Sequence, residues 1–480
     1  MHRELSDSEK PGLRKVPIAI IGGGFSGAAL AWHLRKKGVT ADVAVIEPHA
    51  DVGRGLAYGT SDAAHRINVP ATRMIIDSDD AEYFHRWLIA TNYLATDRQA
   101  AMPDGRLFPT REAFGRYMAE QVRGLSPAMT HLRAKAVSAS ATDNGFHITC
   151  DNGVTLDAAI MVLAICHAPP SVPASLRSLR AHPRFFSDPW GENLLASLSP
   201  DDRILIVGTG LTMADVLASL ERTGHRGEII AVSRRGLRPQ PHTDNQSVFE
   251  RDFTSPSLTQ AAALSRDIRR AVMDAAREGL PWQIVLNRVH EQGQPIWQNL
   301  SPSARRQFLR HLRPYWDTHR FRIAPQVHEA IERRIANRTL DVRAASVRAN
   351  AAAADTITVD LRPRHGTKWS PATFDAIILA TGPAHAVAAN PLLSSMNESG
   401  LLQSDTLGLG IAVDQFGHAI DHRNEPNPRL FVASPLARGT FGELMGVSDL
   451  SAYAEKLAGG IAASWQAARH RARPKSESAC

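Results

Sequence analysis

Residues 18–48 read I-A-I-I-G-G-G-F-S-G-A-A-L-A-W-H-L-R-K-K-G-V-T-A-D-V-A-V-I-E-P. No other stretch restricts the fold as much. Ile18–Ile21 is a short, uninterrupted apolar run, which suits a strand covered on both faces. Gly22, Gly24 and Gly27 follow at the G-x-G-x-x-G spacing, and Ala28–Lys37 has helical character, with Arg35, Lys36 and Lys37 in its last turn. A second apolar run, Val43–Ile46, ends on Glu47, about twenty residues past the last glycine, the spacing of a dinucleotide-binding βαβ unit.

Each position has a physical task. Gly22 permits the tight turn out of the strand, Gly24 takes a Cβ out of the path of a pyrophosphate, and Gly27 lets the helix approach the sheet. The helix start at Phe25 and Ser26 offers unpaired N–H groups and a partial positive charge to phosphate. Glu47 can accept both hydrogen bonds from an adenosine ribose and would repel a 2′-phosphate. The first cradle therefore suits FAD or NAD rather than NADP.

A second unit begins at Ile204: I-L-I-V-G-T-G-L-T-M-A-D. Gly208 and Gly210 repeat the first two glycines, Met213 stands at the third, and Thr212 and Asp215 lie in the helix that follows. Its next strand, Glu228–Val232, leads into Ser233-Arg234-Arg235 and not into an acid. Arginine grips a 2′-phosphate where glutamate repels it, so this cradle reads as an NADPH site, with a solvated arginine pair as the alternative. Each unit also closes on a similar strand, Asp157–His167 and Phe374–Pro383, the latter ending on Thr381 and Gly382. The repeat of opening and closing motifs weighs more than either motif alone.

Between them, Gln240–Arg343 breaks the α/β rhythm with a helix-rich, Trp- and Arg-rich segment including H-L-R-P-Y-W-D-T-H-R-F-R (His311–Arg322). Its His311, His319, Arg320 and Arg322 read first as a hydrogen-bonded structural network and second as a grip for an anion. The expected architecture is α/β: a discontinuous FAD domain (14–170 and 386–470), an inserted NAD(P) domain (171–240 and 341–385), a helical insertion (241–340) and flexible tails (1–13 and 471–480).

The net charge of +7 raises the question of nucleic acid, but the arginines are scattered, and anionic dinucleotides account for part of the excess. The three cysteines, Cys150, Cys166 and Cys480, include no C-x-x-C pair. That argues against structural zinc and dithiol chemistry, and Cys166, at the end of an apolar strand, reads as a small buried hydrophobe. No metal site is expected. Neither a membrane span nor a signal-peptide core is apparent, so a cytoplasmic enzyme with a small-molecule substrate is expected.

The order of motifs resembles the two-dinucleotide flavoprotein superfamily, which includes class B flavin monooxygenases and amine N-hydroxylases. More closely, the chain is similar to the bacterial family labelled FAD/NAD(P)-binding protein. The shared marks are G-x-A-Y-G (Gly55–Gly59), I-N-V-P-A (Ile67–Ala71), D-P-W (Asp188–Trp190), G-T-G-L-T-M-A-D (Gly208–Asp215), S-R-R-G (Ser233–Gly236) and W-D-T-H-R (Trp316–Arg320). The resemblance implies bound FAD and makes Gly53, Arg54, Gly55, Tyr58 and Asn68 flavin-contact candidates, with an ordered surface loop as the alternative. It also implies that Gly439 and Thr440 cover the flavin near the end of the chain. Class B monooxygenases carry a Gly and a His before the second glycine motif, whereas this chain reads R-F-F-S-D-P-W (Arg184–Trp190), which sets it apart from that class.

The leading expectation is an NADPH-dependent FAD oxidoreductase. By analogy of architecture it is a monooxygenase acting on a small amine-like nucleophile through a flavin hydroperoxide, with His167 as the candidate catalytic group. A dehydrogenase or reductase with an organic acceptor, and a flavin-binding redox sensor without turnover, are the alternatives.

Overall fold

Runs of apolar residues such as Ile18–Ile21, Val43–Ile46 and Ile204–Val207 satisfy both faces only in a sheet covered on both sides. The computed structural model, which describes residues 13–125, 128–166, 168, 170–191, 193–382 and 387–472, buries all three runs completely. They belong to two separate sheets. The first begins with β1 (Leu13–Ile21), β2 (Val43–Ile46), β3 (Met129–Leu132), β4 (Ala136–Thr142), β5 (Gly145–Cys150) and β6 (Thr155–Leu163). The second holds β7 (Phe185–Phe186), β8 (Ile204–Val207), β9 (Ile229–Ser233), β10 (Leu340–Ala352), β11 (Ile357–Pro363), β12 (Ser370–Phe374) and β13 (Ala376–Leu379). The chain then returns to the first sheet with β14 (His418–Ile420) and β15 (Pro426–Val432).

The strand order of the first sheet is β14-β15-β6-β1-β2-β3, with β4 and β5 as a meander on the edge of β6. The second runs β12-β11-β10-β9-β8-β13-β7. In each, the glycine-bearing strand lies between its βαβ partner and the closing strand, all parallel: β2-β1-β6 and β9-β8-β13. The registers match, with Ile21 against Ile46 and Leu163 in one, and Val207 against Val232 and Leu379 in the other. The internal repeat is thus a repeat of three-dimensional units.

Some elements differ from the sequence expectation. The closing run expected from Asp157 starts earlier, at Thr155, as the single strand β6. Its first half pairs antiparallel with β5, and further along Met161–Leu163 pairs parallel with β15. Cys166 is exposed, because the chain has already left the sheet after Leu163, while Cys150 is the buried thiol, pushed up to about 11 by desolvation. Met213 is fully buried in the core beneath the second sheet.

The segment between β9 and β10 is helical over Ala261–Arg277, Trp282–Glu291, Gly293–Asn299, Pro302–Gln307, Arg313–Arg320 and Pro325–Ala336. Phe308–Leu312 is a π-helical turn. Pro314, with no N–H to offer the preceding turn, stands at this junction. Much of the segment has its own core, centred on Phe253, Ala271, Val285 and Ala304, whereas Pro325–Ala336 packs on the helix Leu211–Arg222 of the second unit. Among the described residues, no helix is long and apolar enough to cross a membrane.

Candidate functional site

The two glycine turns are built alike. Gly22 N–H donates to the Ile46 carbonyl at 2.9 Å and Ala164 N–H to Ile21 at 2.8 Å; Gly208 N–H donates to Val232 at 2.8 Å and Ala380 N–H to Val207 at 2.7 Å. Each first glycine has a φ that L side chains rarely adopt, +101° at Gly22 and +117° at Gly208. A Cβ would also strike the neighbouring strand's carbonyl oxygen, 2.8 Å away on Ala164 and 2.1 Å away on Ala380. Gly27 is equally constrained, since a Cβ there would lie 2.0 Å from the Gly22 oxygen.

The second glycines obey a different logic. Gly24 and Gly210 cap their helices with ordinary φ values of −66° and −91°, and neither helix has a side-chain cap. A Cβ on Gly24 would make only an ordinary contact, 3.5 Å from the Gly55 Cα, and one on Gly210 would find nothing within 4 Å. The protein's own packing therefore does not demand glycine at either place. What glycine preserves is open space in front of uncapped helix N–H groups, the shape a pyrophosphate fills.

Glu47 closes the first cradle. Its Oε2 accepts the Gly23 N–H at 2.8 Å and its Oε1 accepts the His49 backbone N–H at 3.0 Å, with the His49 ring beside it. Phe25 turns inward, its ring 6.4 Å from Tyr58 and 5.8 Å from Phe114, and Ser26 is buried beside it. Tyr58 lies 4.7 Å from Phe114, and burial pushes its phenol up to about 12. Arg54 sits 3.3 Å from Asp51. Asn68 accepts, through its backbone carbonyl, a 2.7 Å hydrogen bond from His242, whose imidazole burial pushes down to about 4.

In the second cradle Thr209 donates to Ser233 Oγ at 2.8 Å, and Ser233 Oγ in turn accepts the Gly236 N–H at 2.9 Å, so Ser233 holds its own loop. Thr212 is half-buried, Thr381 is exposed and Gly382 has φ +78°. Arg234 is exposed; Arg235 lies over the Tyr315 ring at 5.5 Å. Hydrogen bonds from Arg235 and Arg364 hold the Tyr315 phenol below its usual range. No carboxylate forms an ion pair with Arg234, Arg235 or Arg364 among the described residues.

Asp215 has another partner. It is buried and paired with Arg111, NH2 to Oδ1 and NH1 to Oδ2 both at 2.8 Å, and Arg111 Nε also donates to the Arg66 carbonyl at 3.0 Å. Beside this pair, His65 contacts Ser219 at 2.9 Å, Ser219 donates to Asp62 at 2.7 Å, and Arg222 donates to Asp62 at 2.8 Å. Trp190 of the D-P-W motif packs edge-on against His65, with the Arg111 guanidinium 6.0 Å away. Asp215 thus belongs to the seam between the two units. Position in the motif had put it in the cradle, and only the fold could reveal Arg111.

The segment after β15 crosses the end of the first sheet. Ser434 is fully buried, the Gly439 carbonyl accepts a hydrogen bond from Trp297 Nε1 at 3.0 Å, and Thr440 Oγ1 donates to the Val413 carbonyl at 2.8 Å. A cavity of about 130 Å³ lies between this segment and the helical insertion. His167 lies outside the described residues. Of the insertion's His/Arg cluster, Arg322 donates to Asn287 at 2.9 Å and to the Gln283 carbonyl at 3.2 Å, a structural network. Arg320 sits among His290, Glu443 and Asp449, 3.7 Å from Glu443 and 3.4 Å from Asp449, so a guanidinium already lies against the one group of three such side chains close enough together to hold a metal ion among the described residues.

Residues 19–168 match the model of the FAD-NAD(P)-binding family. Solved structures share the fold over nearly the whole chain. L-lysine 6-monooxygenase from Pseudomonas syringae superposes with a TM-score of 0.66 at 18% identity, covering 94% of this chain and 99% of that one. Kutzneria sp. 744 ornithine N-hydroxylase, solved with reduced FAD, NADP+ and L-ornithine, gives 0.64 at 15% identity over 95% and 100%. Bacillithiol disulfide reductase from Staphylococcus aureus gives 0.57 at 13% identity over 94% and 99%. A comparison with curated protein sequences finds no match. The fold is the one these structures share, and the family match falls on the first of its two units.

Proposed function

We propose that this chain is an NADPH-dependent FAD oxidoreductase, and that it is a monooxygenase acting on a small nucleophilic, amine-like metabolite. The observation that carries the reading is the pair of bare second glycines, Gly24 and Gly210, each fronting an uncapped helix in equivalent positions of two parallel units. FAD fits the first: Gly24 and the N–H groups of Phe25 and Ser26 face its pyrophosphate and Glu47 its ribose. NADPH fits the second, with Gly210 and Thr212 at the pyrophosphate and the unpaired Arg234 and Arg235 at the 2′-phosphate.

Bound flavin supplies hydride acceptance and oxygen chemistry; the chain supplies position and exclusion of water. Leu436, Ala437 and Phe441, all buried, close the end of the first sheet against solvent. The Arg111–Asp215 pair fixes one unit against the other, which sets the geometry between the two cradles. Oxygenation is preferred over dithiol transfer because the sequence contains no C-x-x-C pair. It is also the activity named for the lysine and ornithine enzymes that share the fold. A reductase shares the fold as well, so reduction of an organic acceptor is the second reading.

The test is the visible spectrum of the purified protein, followed by NADPH oxidation with and without oxygen across a panel of amines. A flavin spectrum with amine-stimulated, oxygen-dependent NADPH consumption supports the reading. Colourless protein that neither binds added FAD nor gains thermal stability from it defeats it.

A further inference from the structure

The cavity beside the helical insertion shares a wall with the first unit, because Arg438 and Gly442 line it while their neighbour Phe441 packs against Tyr453 in the core of the first sheet. Its other walls are apolar: Leu264, Ile296, Trp297, Phe308, Leu309 and Trp316. The π-helical turn contributes Phe308 and Leu309, a local widening of the kind found at binding sites.

Four charged side chains reach this space, and three of them are ion-paired. Arg313 and Asp317 pair at 3.3 Å. Glu443 accepts Trp316 Nε1 at 2.8 Å and lies 3.7 Å from Arg320. Arg438 differs. It is only 5% exposed, its Nη1 meets the sulfur of Met445 at 3.3 Å, and its Nε and Nη2 have no hydrogen-bond partner. Buried polar groups are rarely left so, and a buried cation least of all. Nε–H and Nη2–H form the edge of a guanidinium that a carboxylate meets with two parallel hydrogen bonds. Asp317, Asp405 and Glu443 act on Arg438 through space only, none of them at ion-pair distance among the described residues, and desolvation raises the Asp317 carboxyl above its usual range.

We propose that this cavity is a binding site for an apolar carboxylate, with an alkyl or aryl body among the aromatic and aliphatic walls and its carboxylate on Arg438, separate from the place where an amine-like substrate would meet the flavin. The site rests on the cavity and Arg438 and does not depend on the function proposed above. Such a pocket disfavours a small polar amino acid, whose charges would face apolar walls.

Calorimetric titration of the full-length protein with decanoate, decanol, decylamine and L-ornithine tests this. Decanoate should bind saturably and roughly tenfold to hundredfold more tightly than decanol, the range of one charge-assisted contact, with decylamine and ornithine weaker still. Arg438→Met should bring decanoate down to the level of decanol and leave decanol unchanged. Leu309→Trp, which fills the cavity from a half-buried position, should abolish both and guards against a misfolded Arg438 variant. Preference for decylamine or ornithine, or an Arg438→Met protein that still prefers decanoate, overturns the proposal. The titration reads heat and not flavin. A yellow, NADPH-oxidising protein that ignores decanoate therefore defeats the pocket assignment alone. A colourless protein that binds decanoate through Arg438 upholds the site and defeats only the function proposed above.

Discussion

Gly22 and Gly24 stand two residues apart and answer to different constraints. Alanine at 22 must take up a φ of +101° with its Cβ 2.8 Å from a carbonyl oxygen, so Gly22→Ala should cost on the order of 2–4 kcal/mol in urea unfolding. Gly24→Val should change stability by no more than about 1 kcal/mol, yet lose FAD, seen as a colourless protein that unfolds normally. Arg234→Ala combined with Arg235→Ala should raise the KM for NADPH roughly tenfold to hundredfold more than that for NADH, and equal effects on both would remove the 2′-phosphate assignment. These residues are legible in the sequence because glycine and arginine act there through local backbone shape and charge. Asp215 is not, since its partner Arg111 lies 104 residues away and no spacing rule connects them. Arg438 was silent for the same reason: its meaning comes from what fails to pair with it.

Two helices, Arg111–Arg123 and Leu211–Arg222, carry the ion pair that joins the units, with Arg111 and Asp215 both buried. Arg111→Leu leaves a buried carboxylate uncompensated and should destabilise the protein by about 3–5 kcal/mol. Adding Asp215→Leu should recover much of that loss, and a double-mutant cycle in urea measures the coupling. Strands with both faces covered, such as β1, β2 and β8, announce themselves as apolar runs. β3 and β4 do not: Met129–Leu132 places Thr130 and His131 between its apolar ends, and much of Ala136–Thr142 is exposed at the sheet's margin. β6 hides its dual role because a change of partner along one edge, from β5 to β15, leaves no trace in residue type.

Across the molecule, burial lowers the proton affinity of His33, His65, His225, His242 and His328 below the ordinary value of 6.5, His242 to about 4. These rings hold a proton less tightly in the fold than in the unfolded chain, which begins to protonate them as the pH falls to 6.5. The unfolded chain then binds more protons, so stability is retained above that value and falls as pH drops toward 4. Urea midpoints should decline over this window, and His242→Gln, which keeps a donor for the Asn68 carbonyl, should decline less steeply. The two sheets and their parallel registers were readable as a repeat, whereas the cavity was not, since it is assembled from helices and a segment more than a hundred residues further along. Leu340 pairs with Ile229, so the chain leaves β9 at one end of the sheet, builds the entire helical insertion and rejoins at the start of the adjacent strand. The insertion is an overgrown crossover, and the parallel pairing on either side of it does not depend on its contents. Divergence of the cavity's apolar walls can be confined to that excursion, leaving the two sheets free to be inherited unchanged.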